Sequence, residues 1–227
     1  MNFLKVAAVF LTLACASVNA QTIVTYDIKN GRAKDAGHWN NNYDGTLTRG
    51  HPTWDWIYDY SGGKGSLNDG IVPNGIESTQ LIYSYEDPII TLHLSGSSII
   101  NEMNFYSMLY GGNASAGNLS GAKISFGEKS LYMNATNWGA KCSNHLCNNG
   151  FSFAGTVLEG IATDVITISG FKHRDSSLPV YSIGEIVLNG SLVSPVPEPS
   201  TYGMLLAGIF VIGLQARRRR GAKFDMT

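Results

Sequence analysis

Ile89-Ile90-Thr91-Leu92-His93-Leu94, followed after a short Ser-Gly-Ser interval by Ser98-Ile99-Ile100-Asn101-Glu102-Met103-Asn104-Phe105-Tyr106, decides the fold class. In the first segment Ile90, Leu92 and Leu94 share one face, and Thr91 and His93 take the other. In the second, Met103 and Phe105 alternate with Glu102 and Asn104. A period of two is the signature of a strand with one face buried. The first segment is half β-branched, the second opens on Ile99-Ile100 and ends on Phe105-Tyr106, and neither shows a helical 3.6-residue repeat.

The same pattern recurs on both sides. Thr22-Ile23-Val24-Thr25-Tyr26 opens the series, and residues 80–85 precede the central pair. Residues 122–126 and 130–133 read as a hairpin around Gly127-Glu128-Lys129. Val165-Ile166-Thr167-Ile168-Ser169 and residues 181–188 follow, the latter with a change of phase at Gly184-Glu185 that predicts a bulge. Short strands separated by Gly, Asn, Asp and Pro predict an all-β, antiparallel β-sandwich.

Both ends of the 227-residue chain differ from this body. Lys5, an apolar stretch over 6–16 and Val18-Asn19-Ala20 make a signal peptide over residues 1–20, with the mature chain starting at Gln21. The β-sandwich domain is expected over 21–194 and a Pro-rich linker with a sorting motif over 195–200. An apolar transmembrane helix over 201–216 and a basic cytoplasmic tail over 217–227 complete the chain. The apolar run has 16 residues. That gives about 24 Å of helix, short of the ~20 residues a bilayer core needs. Arg217, Arg218, Arg219 and Arg220 would hold its end on the cytoplasmic side.

Between Gln21 and Pro199 there are ten Lys and Arg against sixteen Asp and Glu, a net charge of −6. An acidic body without a basic stripe argues against nucleic acid as a partner. Cys142 and Cys147 are the two cysteines of the body. In an oxidising compartment they read first as a disulfide. His145 between them leaves a metal reading open, but two thiolates and one imidazole fall one ligand short of a tetrahedral site.

The order Pro197-Glu198-Pro199, apolar run, arginine cluster resembles the PEP-CTERM sorting signal of Gram-negative bacteria. The resemblance implies processing by a membrane protease-transpeptidase of the exosortase class, after export through the general secretion machinery and signal peptidase. It also implies transient membrane anchorage, then release to the cell surface or extracellular matrix of an exopolysaccharide-producing, biofilm-forming cell. The chain continues through 221–227, where that signal usually stops soon after the basic cluster.

Three segments of the body resemble the galactose-binding-like, or discoidin-type, jelly roll. They are Leu67-Asn68-Asp69-Gly70, the central pair with Gly96 as its turn, and Ser182-Ile183-Gly184-Glu185-Ile186-Val187-Leu188-Asn189-Gly190. This resemblance implies a binding module, often for glycans, with a structural calcium nearby in many members. Asp69 matches the Asp-Gly position of that pattern. Its local role is to bond backbone and set the turn, and a calcium role would need a second carboxylate beside it.

Trp54-Asp55-Trp56 and Tyr58-Asp59-Tyr60 are the densest aromatic set. As a strand, Trp54, Trp56, Tyr58 and Tyr60 would share one face, with Asp55, Ile57 and Asp59 opposite. That face is either core or a platform on which sugar C–H faces stack. Trp39 lies in a loop-like context and is a further candidate contact. No nucleophile elbow, zinc helix or phosphate loop occurs, so no catalytic residue and no metal site are assigned. The expectation is a non-catalytic, surface-sorted protein binding exopolysaccharide. The alternatives are a matrix or adhesion protein without a specific small ligand, and a secreted glycan hydrolase.

Overall fold

In the computed structural model, the described residues are 19–32, 42–74, 80–83, 86–108, 119–133, 139–143, 146–173 and 180–193. The chain divides into two units, Met1–Val193 and Ser194–Thr227. The second unit, the signal segment through Val18, and Trp39 lie outside the described residues. So does the apolar run over 201–216. Among the described residues no helix is long and apolar enough to cross a membrane.

The described residues of the first unit form thirteen strands: β1 (Asn19–Gln21), β2 (Ile23–Arg32), β3 (Thr46–Arg49), β4 (Ile57–Gly63), β5 (Gln80–Tyr83), β6 (Ile89–Met108), β7 (Leu119–Phe126), β8 (Lys129–Met133), β9 (Gly139–Ser143), β10 (Leu146–Ser152), β11 (Ala162–His173), β12 (Val180–Ile183) and β13 (Glu185–Leu192). Every pairing is antiparallel. The all-β antiparallel sandwich read from the alternation is the architecture found.

The two central segments are joined differently from expectation. Gly96 does not turn the chain back. Residues 89–108 form one strand of 20 residues that changes partners along its length. Its first half lies between β2 and β11, for example Ile28↔Ile90↔Ile168. Its second half lies between β13 and β10, with Leu188↔Met103↔Phe151. One path therefore runs β3-β4-β2-β6-β11-β7-β8, while β13 and β10 pair with the far half of β6 and carry β1 and β9 respectively. Ser95 N–H donates to Thr22 O, and Ser98 Oγ to Gly96 O, where the partners change. A strand that crosses between layers serves the same end as a hairpin: it carries one apolar face into a shared core.

Ile90, Leu92, Ile100, Met103 and Phe105 are all within 1% of complete burial. The inward positions switch from even to odd numbers between Ile100 and Met103. There β6 carries an extra residue, Asn101, opposite the Asn189–Gly190 step of β13. Three tyrosines extend the core toward β4. Tyr26 and Tyr43 lie 5.0 Å apart between ring centroids, as do Tyr43 and Tyr60. Their hydroxyls are paired: Tyr43 donates to Tyr26 O (2.8 Å) and accepts from Gly63 N–H (2.7 Å), and Tyr26 donates to Gln80 Oε1 (3.2 Å). Burial pushes the Tyr43 phenol up to about 12 and raises Tyr26 further.

The bulge expected at Gly184-Glu185 is a full break between β12 and β13. A Cβ on Gly184 would stand 2.5 Å from the Pro73 ring, so only glycine lets that loop close on the strand. The break places Tyr181, Ser182 and Ile183 in a separate two-stranded pair with β5.

Candidate functional site

The aromatic set does not form one face. Trp54, Asp55 and Trp56 lie in a turn, and β4 begins only at Ile57. Along β4, Ile57 and Tyr60 are buried, whereas Tyr58 and Asp59 are half-buried. Ile57, expected opposite the rings, therefore points inward. The physical reason is a bulge in the neighbouring strand. Ile28 pairs with Tyr60 but Gly31 pairs with Tyr58, so two residues of β2 face Asp59 alone. Asn30 adopts the left-handed region there, φ 56°, a conformation asparagine tolerates better than most residues. Its N–H donates to Asp59 Oδ1 at 2.8 Å, and its Nδ2 donates to Glu86 O at 2.6 Å.

This bulge aims Arg32 at the turn. The Arg32 guanidinium carbon lies 5.8 Å from the centroid of the Trp56 ring, within cation–π range. Trp56 stacks on Trp54 with centroids 6.0 Å apart and planes 14° from parallel. Trp54 stacks in turn on His51, at 4.7 Å and 26°. Thr53 N–H donates to His51 Nδ1 (3.3 Å), which leaves the imidazole proton on Nε2. Gly50 N–H donates to Ile57 O at 2.9 Å and closes the loop that carries the stack. Behind it, the Tyr60 hydroxyl donates to Arg32 O, tying the tyrosine core to the base of the patch. Trp56 is 38% exposed; His51 and Trp54 are half-buried. Of the aromatic set, then, Tyr60 belongs to the core and Trp54 and Trp56 to an exposed stack. His51 and Arg32 were not singled out from sequence. His51-Pro52-Thr53-Trp54 was a readable cue for the first, and no local signal pointed to Arg32.

A second cluster surrounds Asp69. Gly70 sits at φ 77°, as an Asp-Gly turn requires. Ile71 N–H donates to Asp69 Oδ1 (2.9 Å) and Asn42 Nδ2 to Asp69 Oδ2 (3.2 Å). Gly70 N–H donates to Glu185 Oε2 at 3.1 Å, from 115 residues away in sequence. Glu185 is 5% exposed. Burial, and then the neighbouring Asp69 carboxylate, push its carboxyl up to about 8, against a partial offset from the Gly70 amide. An open groove of about 220 Å³ adjoins it, lined by Thr22, Ile23, Asn68, Gly70 and the first residues of β13. Two adjacent carboxyls on a backbone-rich turn suit a hard cation with oxygen ligands. Among the described residues no group of three or more His, Cys, Asp or Glu side chains is placed to hold a metal.

Elsewhere, Cys147 is disulfide-bonded, and the residue directly opposite it in the β9–β10 register is Cys142. His93 Nε2 lies 2.8 Å from Asp27 Oδ2 on the outer face of the sheet, and Asp27 Oδ1 also accepts from Gly62 N–H.

Fold and site together describe an antiparallel β-sandwich with an exposed aromatic stack on one loop. Residues 195–220 match the family model described as the PEP-CTERM protein-sorting motif. That motif marks the chain for export and exosortase-mediated, membrane-associated sorting. No curated protein matches the chain by sequence. Solved structures that resemble it include the C-terminal domain of a chitobiase from Bacteroides fragilis, with TM-score 0.43 and 10% identity, over 78% of this chain and 100% of that one. The family 32 carbohydrate-binding module of C. perfringens NanJ, in complex with galactose, gives 0.37 and 14%, over 55% and 82%. A fucose binding module from Streptococcus pneumoniae gives 0.38 and 14%, over 58% and 84%.

Proposed function

We propose that the mature domain is a non-catalytic binder of extracellular polysaccharide, and that the stack of His51, Trp54 and Trp56 with Arg32 is its contact surface. The observation that carries this reading is a pair of near-parallel indoles, Trp56 exposed and Trp54 half-buried, on a loop held by Arg32 and Tyr60. Large rings normally bury their area in a core. Here Tyr26, Tyr43 and Tyr60 do so, while Trp56 is 38% exposed. Sugar C–H faces stack on such a surface, and Nε2 of His51 and the exposed Asp55 offer a donor and an acceptor for hydroxyls.

In this reading signal peptidase cuts after Ala20, and the run over 201–216 anchors the chain transiently, with Arg217–Arg220 inside. An exosortase then cuts near Pro197-Glu198-Pro199 and passes the domain to the surface or matrix of a Gram-negative cell. Calcium belongs to the same reading as a structural ion at Asp69 and Glu185. The hydrolase alternative draws no support from that pair. Its Glu185 carboxyl is buried, only 5% exposed, and adjoins the Asp69 carboxylate, whereas glycosidases set two carboxyls about 5–9.5 Å apart across the scissile bond.

Affinity electrophoresis of the mature chain through gels containing the producing cell's own polysaccharide tests the proposal. Retardation is expected; unchanged mobility at every polysaccharide concentration would overturn it.

A further inference from the structure

The strand β1 straddles the expected signal cleavage site. Asn19 pairs with Gly190, Ala20 with Asn189 and Gln21 with Leu188. Cleavage after Ala20 leaves only the Gln21 pairing, so Asn189 and Gly190 lose their β1 partners and join Ser191 and Leu192, which β1 does not pair among the described residues. The direction of the free groups follows from the flanking bonds. Ile186 N–H donates away from β6, to Leu67 O, whereas Val193 N–H donates into β6, to Ser97 O. The extra residue of the β6–β13 bulge is on β6, so β13 alternates without interruption. The N–H and C=O groups of Gly190 and Leu192 therefore face the uncovered edge.

Edge strands are commonly protected by charge, proline or a bulge. Residues 186–193 of this strand contain no charged residue and no proline. Leu192 is 57% exposed and Val193 43%. The edge is also complementary to itself. Two copies laid antiparallel about Ser191 would place Gly190 of one opposite Leu192 of the other, with both residues presenting their hydrogen-bonding groups. Gly190 has no side chain, and a Cβ there would stand 2.3 Å from Ile99 O. Each exposed leucine would thus lie opposite the other copy's glycine, which has no side chain to meet it.

We propose that removal of the signal peptide frees Asn189 and Gly190, completing this edge, and that mature copies pair through residues 189–193, edge to edge, as a two-fold dimer. Each particle then carries two aromatic stacks, so weak contacts to a repeating polysaccharide add through avidity. The pairing rests on the signal-cleavage reading but not on the sugar-binding one.

In the dimer Ser191 faces its own copy in a non-hydrogen-bonded pair, about 4.5 Å between Cα atoms, inside the span of a disulfide, about 4.4–6.8 Å. The test is Ser191→Cys in the full chain, exported by the producing cell, followed by non-reducing electrophoresis and mass determination of the N-terminus. A disulfide-linked dimer is expected, at least about tenfold above that of a Val157→Cys control. Adding Leu192→Pro, which removes an edge donor but leaves the β6 ladder intact, lowers it again by about tenfold, the worth of one to two hydrogen bonds per pair. No excess over the control, in protein whose N-terminus is Gln21, overturns the pairing. So does a dimer indifferent to Leu192→Pro. A mature N-terminus at or before Asn19 overturns its premise instead.

Discussion

Replacing Glu185 by Gln should remove much of the pH dependence of the domain's stability. In the folded protein burial and Asp69 hold this carboxyl at about 8, against 4.5 for the free group. A folded-state pKa above the unfolded one means that ionisation favours unfolding. The stability tied to the proton is complete below pH 4.5 and is lost as pH rises toward 8. At 1.36 kcal/mol per pH unit, the whole shift is worth about 5 kcal/mol, and about 3–4 kcal/mol of it falls between pH 5 and pH 8. Gln keeps an oxygen for the Gly70 amide and, like the protonated acid, carries no charge beside Asp69. Thermal melts of the mature chain in chelator, followed by circular dichroism, provide the assay. For a domain of this size the wild type should lose on the order of 10 °C more than Glu185→Gln over that range. Calcium added at pH 8 should restore the wild type and do little for the variant. A stability difference between the two proteins that stays constant within about 1 kcal/mol from pH 5 to pH 8 would refute the placement of Glu185 beside Asp69.

Three further outcomes follow from the same geometry. Tyr60→Ala should cost about 3–5 kcal/mol in denaturant unfolding, since it empties a core position and frees the Arg32 carbonyl. Trp56→Ala should cost no more than about 1 kcal/mol, because its ring lies partly in solvent; equal losses would place both rings in the core. Cys142→Ser should reduce stability by about 2 kcal/mol at most, the entropy of so small a loop, and should release one free thiol at Cys147, counted with a thiol reagent in denaturant. Mass spectrometry of the surface form should find a C-terminus upstream of residue 201, whereas an intact end at Thr227 would indicate a permanent anchor.

Much of the fold was legible because alternation reports burial directly. Ile90, Leu92, Leu94, Met103 and Phe105 all face the core as read from their spacing. What the spacing could not report was pairing. Nothing within residues 89–108 says that the first half lies beside β2 and β11 and the second beside β13 and β10, because those partners are set by distant segments. The tryptophans were misplaced for a related reason. Alternating aromatics fit a strand template, but the β2 bulge and the 50–57 loop turn Trp54 and Trp56 out before the strand starts. The Asp69 turn was legible from Asp-Gly itself. Its partner Glu185 was visible only as part of a strand pattern, and the approach of the two carboxyls depends on the break at Gly184.

The central claim is that the Trp56 stack binds polysaccharide. Isothermal titration of the mature chain and its Trp56→Ala variant with the producing cell's extracellular polysaccharide tests it most directly, provided both give the same circular dichroism. The account predicts saturable binding by the wild type and a loss of at least about tenfold in the variant, the worth of one stacked ring. Equal binding by both proteins would contradict the assignment of the stack. Absence of binding by either would leave a matrix or adhesion protein without a specific ligand.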